Sequence, residues 1–231
     1  MDSQSPQILY EQPPFLVVSK PPGVLTQSPP GIDSLELQLK RFLAVRDGEE
    51  DPYIGTPHRL DRPVSGVIIF AKKWTATRKL GKQFQRRKVE KVYWAAVAGD
   101  VGEDEGEWRD TMRKVPGEPR GEIVPPDHPE AREALLTFRV LGRRDWGTWL
   151  ELRPVTGRTH QLRVQAASRG FPILGDEQYG STVAFGPATD DTRARAIALH
   201  ARSLLFHDWV EEAAHTVVAP LPDYWQSLGI E

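Results

Sequence analysis

The 231-residue chain has no cysteine. Disulfides, thiolate metal sites and cysteine nucleophiles are thereby excluded, and the composition suits a reducing compartment. No apolar run approaches the ~20 residues that a membrane helix needs. The opening stretch MDSQSPQILYEQPP has neither a basic n-region nor an apolar h-region, so no secretory signal is expected and a cytoplasmic location is the default. No Walker or GxGxxG loop occurs, so no nucleotide cofactor is indicated. His58, His128, His160, His200, His207 and His215 show no HExxH-type spacing and no acidic companion at ligand distance, so no metal is expected. A basic surplus is missing too: 30 Lys and Arg against 32 Asp and Glu give a net charge of −2, which argues mildly against a nucleic-acid partner.

The average hides two local fields. From Lys72 to Lys91 there are nine basic residues and one acid, Glu90, whereas GEDEGE at 102–107 holds four acids. A polyanion responds to the local field rather than to the total.

The pattern along the chain predicts one α+β domain over residues 1–231, a mixed, largely antiparallel sheet flanked by about four helices. ILYEQPPFLVVSKPPG reads as two short strands around a turn. DSLELQLKRFLAVRDG reads as a helix capped by Asp33, with Glu36 completing a capping box and Leu35, Leu39, Phe42 and Leu43 on one face. GVIIFAK is a buried strand. WTATRKLGKQFQRRK is an amphipathic helix. Ala76, Leu80 and Phe84 form its apolar stripe, and Arg78, Lys82 and Arg86 its basic side. VEKVYWAAVAG is a strand, and residues 100–131, rich in Gly, Pro and acid, read as a surface excursion or loose hairpin rather than a domain. ALLTFRVLGR and TWLELRPV pair through the turn at Asp145-Trp146-Gly147. THQLRVQAASRG is a helix that Gly170 ends, FPILGDEQYG a loop, ALHARSLLFHD and HTVVAP strands, and PDYWQSLG a short helix.

Three features carry candidate chemistry. In HRLDRPVSGVIIFAK, Asp61 stands between Arg59 and Arg62 at the mouth of the buried strand. An aspartate before a proline is usually a turn residue. A carboxylate at the edge of an apolar core also needs a cation or hydrogen bonds, because its uncompensated burial costs several kcal/mol. In PVTGRTHQLRVQ, Arg158, His160, Gln161 and Arg163 crowd a helix start. A cation in a first helical turn opposes the helix dipole, so something negative is expected beside Arg163. Tyr93, in a strand, reads by itself as a core residue with its hydroxyl at the rim.

HRLDRPVSGVIIFAK, RRKVEKVYWAAVAG, PVTGRTHQLRVQAASRGFPILGDEQYG and LHARSLLF, in this order and spacing, resemble the RluA family of RNA pseudouridine synthases. SKPPG resembles the same family's KPxG loop, which draws attention to Lys20. The short N-terminus leaves no room for the S4 domain that many members carry. The resemblance implies that Asp61 is the catalytic aspartate and that Arg163 is its ion-pair partner. It makes Tyr93 the tyrosine against the target uracil, a candidate to remove its C5 proton. Arg59 resembles the arginine that enters the space left by the flipped base, and Ile173 or Leu174 the apolar wall of the pocket. His160, Gln161 and Lys20 fall in the substrate-binding motifs, and the helix bearing Arg78, Lys82 and Arg86 suits RNA phosphates. No cofactor is needed for the isomerisation, the partner is a stem-loop of ribosomal or transfer RNA, and a monomer is the default. Two departures stand out: Gln165 occupies a position where the family often has His, and Thr26-Gln27 follows the KPxG loop where a histidine is common. They bear on the substrate and RNA contacts more than on the reaction. A catalytically silent RNA-binding protein on the same fold is the main competing reading, and a hydrolase using Asp61 and His58 a weaker one.

Overall fold

The computed structural model describes residues 5–230. The first four residues of the stretch read as lacking a leader lie outside that range. In chain order the elements are β1 (Gln7–Gln12), β2 (Phe15–Lys20), α1 (Leu35–Asp47), β3 (Ser65–Ala71), α2 (Trp74–Gln85) and β4 (Glu90–Val97). They continue with β5 (Glu105–Lys114), β6 (Gly121–Ile123), β7 (Arg132–Arg144), β8 (Gly147–Pro154) and α3 (Gln161–Ser168). β9 (Leu199–Asp208) and β10 (Ala213–Val218) follow, with short 3-10 segments at Glu177–Tyr179 and Asp223–Leu228. The architecture is α+β on a mostly antiparallel sheet, as the sequence pattern predicts. No helix among the described residues is long and apolar enough to cross a membrane.

The chain resolves into two compact units. One holds the residues up to Glu90, with Thr189–Ala194 and Ala201–Pro222; the other holds Lys91–Ala188, Arg195–His200 and the residues from Asp223 onward. In the first unit the strands run β1-β2-β3-β9-β10. All seven residues of β3 are buried, which explains why SGVIIFA shows no alternation: a strand covered on both faces is apolar throughout. Full burial of side chains such as Ile68, Ile69 and Phe70 stabilises by ~1.5–3 kcal/mol each. Gly66, the second residue of this strand, has φ of 117°, and a Cβ there would lie 2.2 Å from the Ala201 carbonyl oxygen, so only glycine fits. α1 buries Leu35, Leu39 and Leu43, as its apolar spacing predicts. Its N-cap is one residue later than expected: Ser34 Oγ accepts from the Leu37 N–H at 3.4 Å. Asp33 instead accepts from Gln38 and Arg41 at 2.8 Å each, since those longer side chains reach back over the turn. α2 buries Ala76 and Leu80, and the side-chain amide of Gln83 ties the helix to the His207 backbone at 2.8 and 3.0 Å.

In the second unit β4-β8-β7-β5-β6 form an antiparallel array. Residues 100–131, expected as a surface excursion, supply β5 and β6. β5 pairs with β7 from Glu105 to Met112 and sends Trp108 and Met112 inward, at 5% and 1% exposure. Polar residues alternating along that strand mask its two buried anchors, so composition alone does not announce its pairing with β7. α3 packs Val164 on Met112 and Ala134, with Tyr179 alongside. Arg143 gathers the acidic stretch by binding Asp100 at 2.9 Å, Asp104 at 2.8 Å and the Val101 carbonyl at 2.8 Å.

Candidate active site

In the first unit, Asp61 lies half-buried in a turn closed by the Val64 N–H donating to the Asp61 carbonyl at 3.1 Å. Pro63 disfavours the helical conformation at Arg62, so the chain turns here and feeds straight into β3. Arg59 is exposed two residues before Asp61. Arg62, the other arginine flanking Asp61, is turned inward: its Nε donates to the Gly23 carbonyl at 2.8 Å. That contact needs the 20–26 loop folded back, which no local pattern announces.

Lys20 departs most from expectation. Placed among the substrate-binding groups by its motif, it is fully buried. Its ammonium donates to the carbonyls of Pro21 at 2.9 Å, Val24 at 2.8 Å and Arg62 at 3.1 Å, which uses all three N–H donors. Burial pulls its pKa down to about 7, with Asp61 pushing it back up and Arg62 depressing it further. Lys20 is therefore a structural residue bonded to the backbone of the Asp61 turn. His58, three residues before Asp61, accepts from the Ile69 N–H at 3.1 Å and stacks on Phe84 at 4.4 Å, which suits packing rather than a hydrolytic base.

The basic face of α2 carries Arg78, Lys82 and Arg86, with Arg86 at the helix C-cap. All three side chains are exposed. Trp74 is 59% exposed and holds the Arg78 guanidinium 4.7 Å from its ring.

In the second unit, Arg163 in the first turn of α3 is 3% exposed. Its Nε and Nη2 donate to the two oxygens of Asp176 at 2.6 and 2.8 Å, and Nη2 also donates to Gln178 at 2.8 Å. The negative group expected beside this helix-start cation is thus supplied in its own unit by Asp176, 1% exposed, in the segment read as the loop FPILGDEQYG. An aspartate 13 residues away in a loop carries no signal of pairing; the clue was a buried-looking cation with no acid at helical spacing. Arg163 Nη1 lies 3.1 Å from His160 Nδ1. A guanidinium can only donate, so His160 Nδ1 accepts and its proton sits on Nε2. Tyr179 completes the corner, its hydroxyl 2.9 Å from His160 Nδ1 and its ring under the Arg163 guanidinium at 4.9 Å. His160 has φ of 54°, an uncommon backbone for a residue other than glycine, held where β8 turns into α3.

Gln161 and Gln165 face inward. Gln161, expected to bind substrate, accepts from Thr156 Oγ1 at 2.7 Å and the Arg158 N–H at 3.0 Å, and donates to the Leu135 carbonyl at 3.1 Å. It brackets the helix start instead, because a 4% exposed amide must find partners within the fold. Gln165 is fully buried and donates to Asp110 Oδ2 at 2.6 Å and the Trp108 carbonyl at 3.1 Å. Its departure from the family pattern therefore serves the packing of α3 on β5, not an RNA contact. Tyr93 sits half-buried on β4 opposite Leu152 of β8. Ile173 and Leu174 are buried, Ile173 bridging to Val97 and Leu174 N–H donating to the Ala96 carbonyl at 3.0 Å.

One histidine does find acids. His215 Nε2 lies 2.9 Å from Glu211 Oε2, and Asp208 stands within ligand distance of both. The expectation that no histidine has an acidic companion fails here, because the β9–β10 turn folds the chain back on itself. The Asp208 carboxylate is already engaged: Oδ1 accepts from the Val210 N–H at 2.7 Å and Oδ2 from the Tyr10 hydroxyl at 3.2 Å. Burial first, and then Asp208, push the Tyr10 phenol up to about 12. The group caps a turn.

A family model described as RNA pseudouridylate synthase matches residues 14–168. The chain is 34% identical over 174 residues to the dual-specificity RNA pseudouridine synthase RluA of Vibrio cholerae, covering 75% of this chain and 67% of that protein. It is 32% identical over 174 residues to an uncharacterised RNA pseudouridine synthase of Synechocystis, covering 75% of this chain and 52% of the relative, so it spans about half that protein's length. The solved structure of human RNA Pseudouridylate Synthase Domain Containing 4 shares the fold, with a TM-score of 0.78 at 24% identity over 97% of this chain and 94% of that one. Human RNA Pseudouridylate Synthase Domain Containing 1 aligns with a TM-score of 0.73 at 25% identity, covering 96% and 85%. The family match takes in Asp61, Tyr93 and Arg163. The chain belongs to the RNA pseudouridylate synthase family, and its relatives are of the RluA type.

Proposed function

We propose that the chain is an RNA pseudouridine synthase that isomerises specific uridines in structured RNA, ribosomal or transfer, with Asp61 as its catalytic carboxylate. The reaction breaks the N1–C1′ bond, turns the base and joins C5 to C1′. C5 loses its proton and N1 gains one, so atoms balance without an oxidant, a reductant or a cofactor. A carboxylate can attack the ribose or the base ring directly, splitting one hard step into two easier ones. In this reading Tyr93 lies against the uracil and receives or relays the C5 proton. Arg163 is the cationic member of the site, and Ile173 or Leu174 provides apolar wall. The target base must leave its stack to be reached, and Arg59, exposed beside Asp61, takes its place in the RNA. α2 meets the phosphates through Arg78, Lys82 and Arg86.

The observation that carries this reading is the setting of Asp61: half-buried, in a closed turn, at the threshold of a wholly buried strand, in a chain of this family. A solvated turn aspartate needs no such foundation. The test is conversion of uridine in unmodified RNA transcripts and in bulk RNA from cells lacking the gene, read as new pseudouridine after digestion. Asp61→Asn is expected to abolish product while RNA binding persists. Full turnover by that variant refutes the reading, and equal rescue of deletion cells by both forms would favour RNA binding without catalysis.

A further inference from the structure

We propose that residues 20–26 are a clamp that sets the position of Asp61, and that the Thr26 hydroxyl is its central positioning group. The inference rests on the reading of Asp61 as the catalytic carboxylate. Thr26 is buried, at 3% exposure. Its Oγ1 accepts from the Leu60 N–H at 3.1 Å and donates to the Leu60 carbonyl at 3.0 Å. One hydroxyl thus satisfies both backbone groups of the residue before Asp61, as a neighbouring strand would.

The residue after Asp61 is gripped by the same loop. The Arg62 carbonyl accepts from the Gly23 N–H at 2.8 Å and from the Lys20 ammonium at 3.1 Å, and Arg62 Nε returns to the Gly23 carbonyl at 2.8 Å. Gly23 can make this exchange because it has φ of 80° and lies against Ala194, where a Cβ would come within 2.9 Å of the Ala194 Cα. The loop is itself anchored. The Leu25 carbonyl accepts from the Leu35 N–H at 2.8 Å and the Thr26 carbonyl from the Glu36 N–H at 3.2 Å, which are first-turn donors of α1 without partners inside the helix. α1 is held in turn by buried Leu35, Leu39 and Leu43. A set of bonds therefore runs from a core-packed helix, through Thr26, to the backbone before Asp61, and the same loop holds the backbone after it through Gly23 and Lys20. Asp61 uses its own carbonyl to close the turn toward β3.

Such an arrangement fixes the direction of one Cα–Cβ bond, and a reacting group displaced by about 1 Å can lose ~100-fold in rate. Thr26→Val keeps the shape and removes the hydroxyl, leaving both Leu60 groups unsatisfied. Its kcat is expected to fall about 10- to 100-fold with KM changed less than about twofold, whereas Thr26→Ser restores most of the rate. Arg62→Leu loosens the other jaw and should also lower kcat. If Arg62 faced phosphate instead, its removal would raise KM and reduce the salt dependence of binding.

The experiment is steady-state turnover of Thr26→Val, Thr26→Ser, Arg62→Leu and Asp61→Asn on one RNA, with RNA affinity measured in parallel. Wild-type kcat in Thr26→Val, with Asp61→Asn inactive, overturns the clamp and leaves the reading of Asp61 standing. Turnover by Asp61→Asn removes that reading itself. Should Thr26→Val fail to fold, Thr26→Ser and Arg62→Leu decide. A kcat loss confined to Arg62→Leu, with KM held, supports the clamp, and a KM effect alone overturns it.

Discussion

The Asp61 turn and the Arg163 corner hold a charged side chain in opposite ways. Around Asp61 the fold grips the backbone: the groups of Leu60 and Arg62 are bonded by Thr26, Gly23 and Lys20, and the buried Lys20 ammonium is satisfied by carbonyls. Around Arg163 it grips the side chain itself, through the Asp176 carboxylate, Gln178 and the face of Tyr179. The difference separates position from stability. A backbone grip can be loosened without stranding a charge, whereas a buried ion pair cannot lose one partner cheaply.

The largest expected effect tests that contrast. Asp176→Ala leaves a guanidinium with 4% side-chain exposure facing a void, and should destabilise by about 3–5 kcal/mol in urea unfolding. A loss under ~1 kcal/mol would erase the distinction between the two regions. Next, Lys20 makes the first region sensitive to pH. Its folded pKa of about 7 lies below the ~10.4 of an unfolded lysine, so between these values the unfolded chain binds more protons and stability rises with pH. The slope should approach ~1.4 kcal/mol per pH unit and vanish in Lys20→Met, measured by unfolding from pH 7 to 10. A flat wild-type profile would mean that the three carbonyls offset the burial.

On α2, replacing Arg78, Lys82 and Arg86 together by Gln should weaken RNA binding across sequences and reduce the salt slope by about one for each phosphate left without its cation. Folding stability should barely move, since none of the three is buried. The smallest effect is expected at Arg143→Ala. Its partners Asp100 and Asp104 are 74% and 84% exposed, so the change should barely move folding stability and leave activity on small stem-loops intact. A large loss of activity with unchanged folding would give the acidic stretch a role in substrate handling.

Much of this molecule was legible from residue order. SGVIIFA could only be a buried strand, the leucines of α1 fell at helical spacing, and the hairpin at Asp145-Trp146-Gly147 followed from its turn residues. The misreadings share one cause. Asp33 and Ser34 are both good caps, and only the path of the preceding loop chose between them. The hairpin of β5 and β6 was foreseen only as a loose one, because Trp108 and Met112 are the only deeply buried side chains of β5 among charged neighbours. Lys20 and Gln161 looked like substrate ligands because their motifs said so, yet both turned inward.

The sequence by itself determined on what elements the candidate residues sit: Asp61 before a buried strand, Arg163 at a helix start, Arg78 and Lys82 on one face of α2. Periodicity and turn chemistry suffice for that, because they are local. Only the tertiary structure decided what each group touches: Thr26 on Leu60, Lys20 on the Arg62 carbonyl, Asp176 on Arg163, Gln165 on Asp110. A hydrogen bond depends on which surfaces packing brings together, and apolar spacing tells a residue which way to face without telling it what will be there.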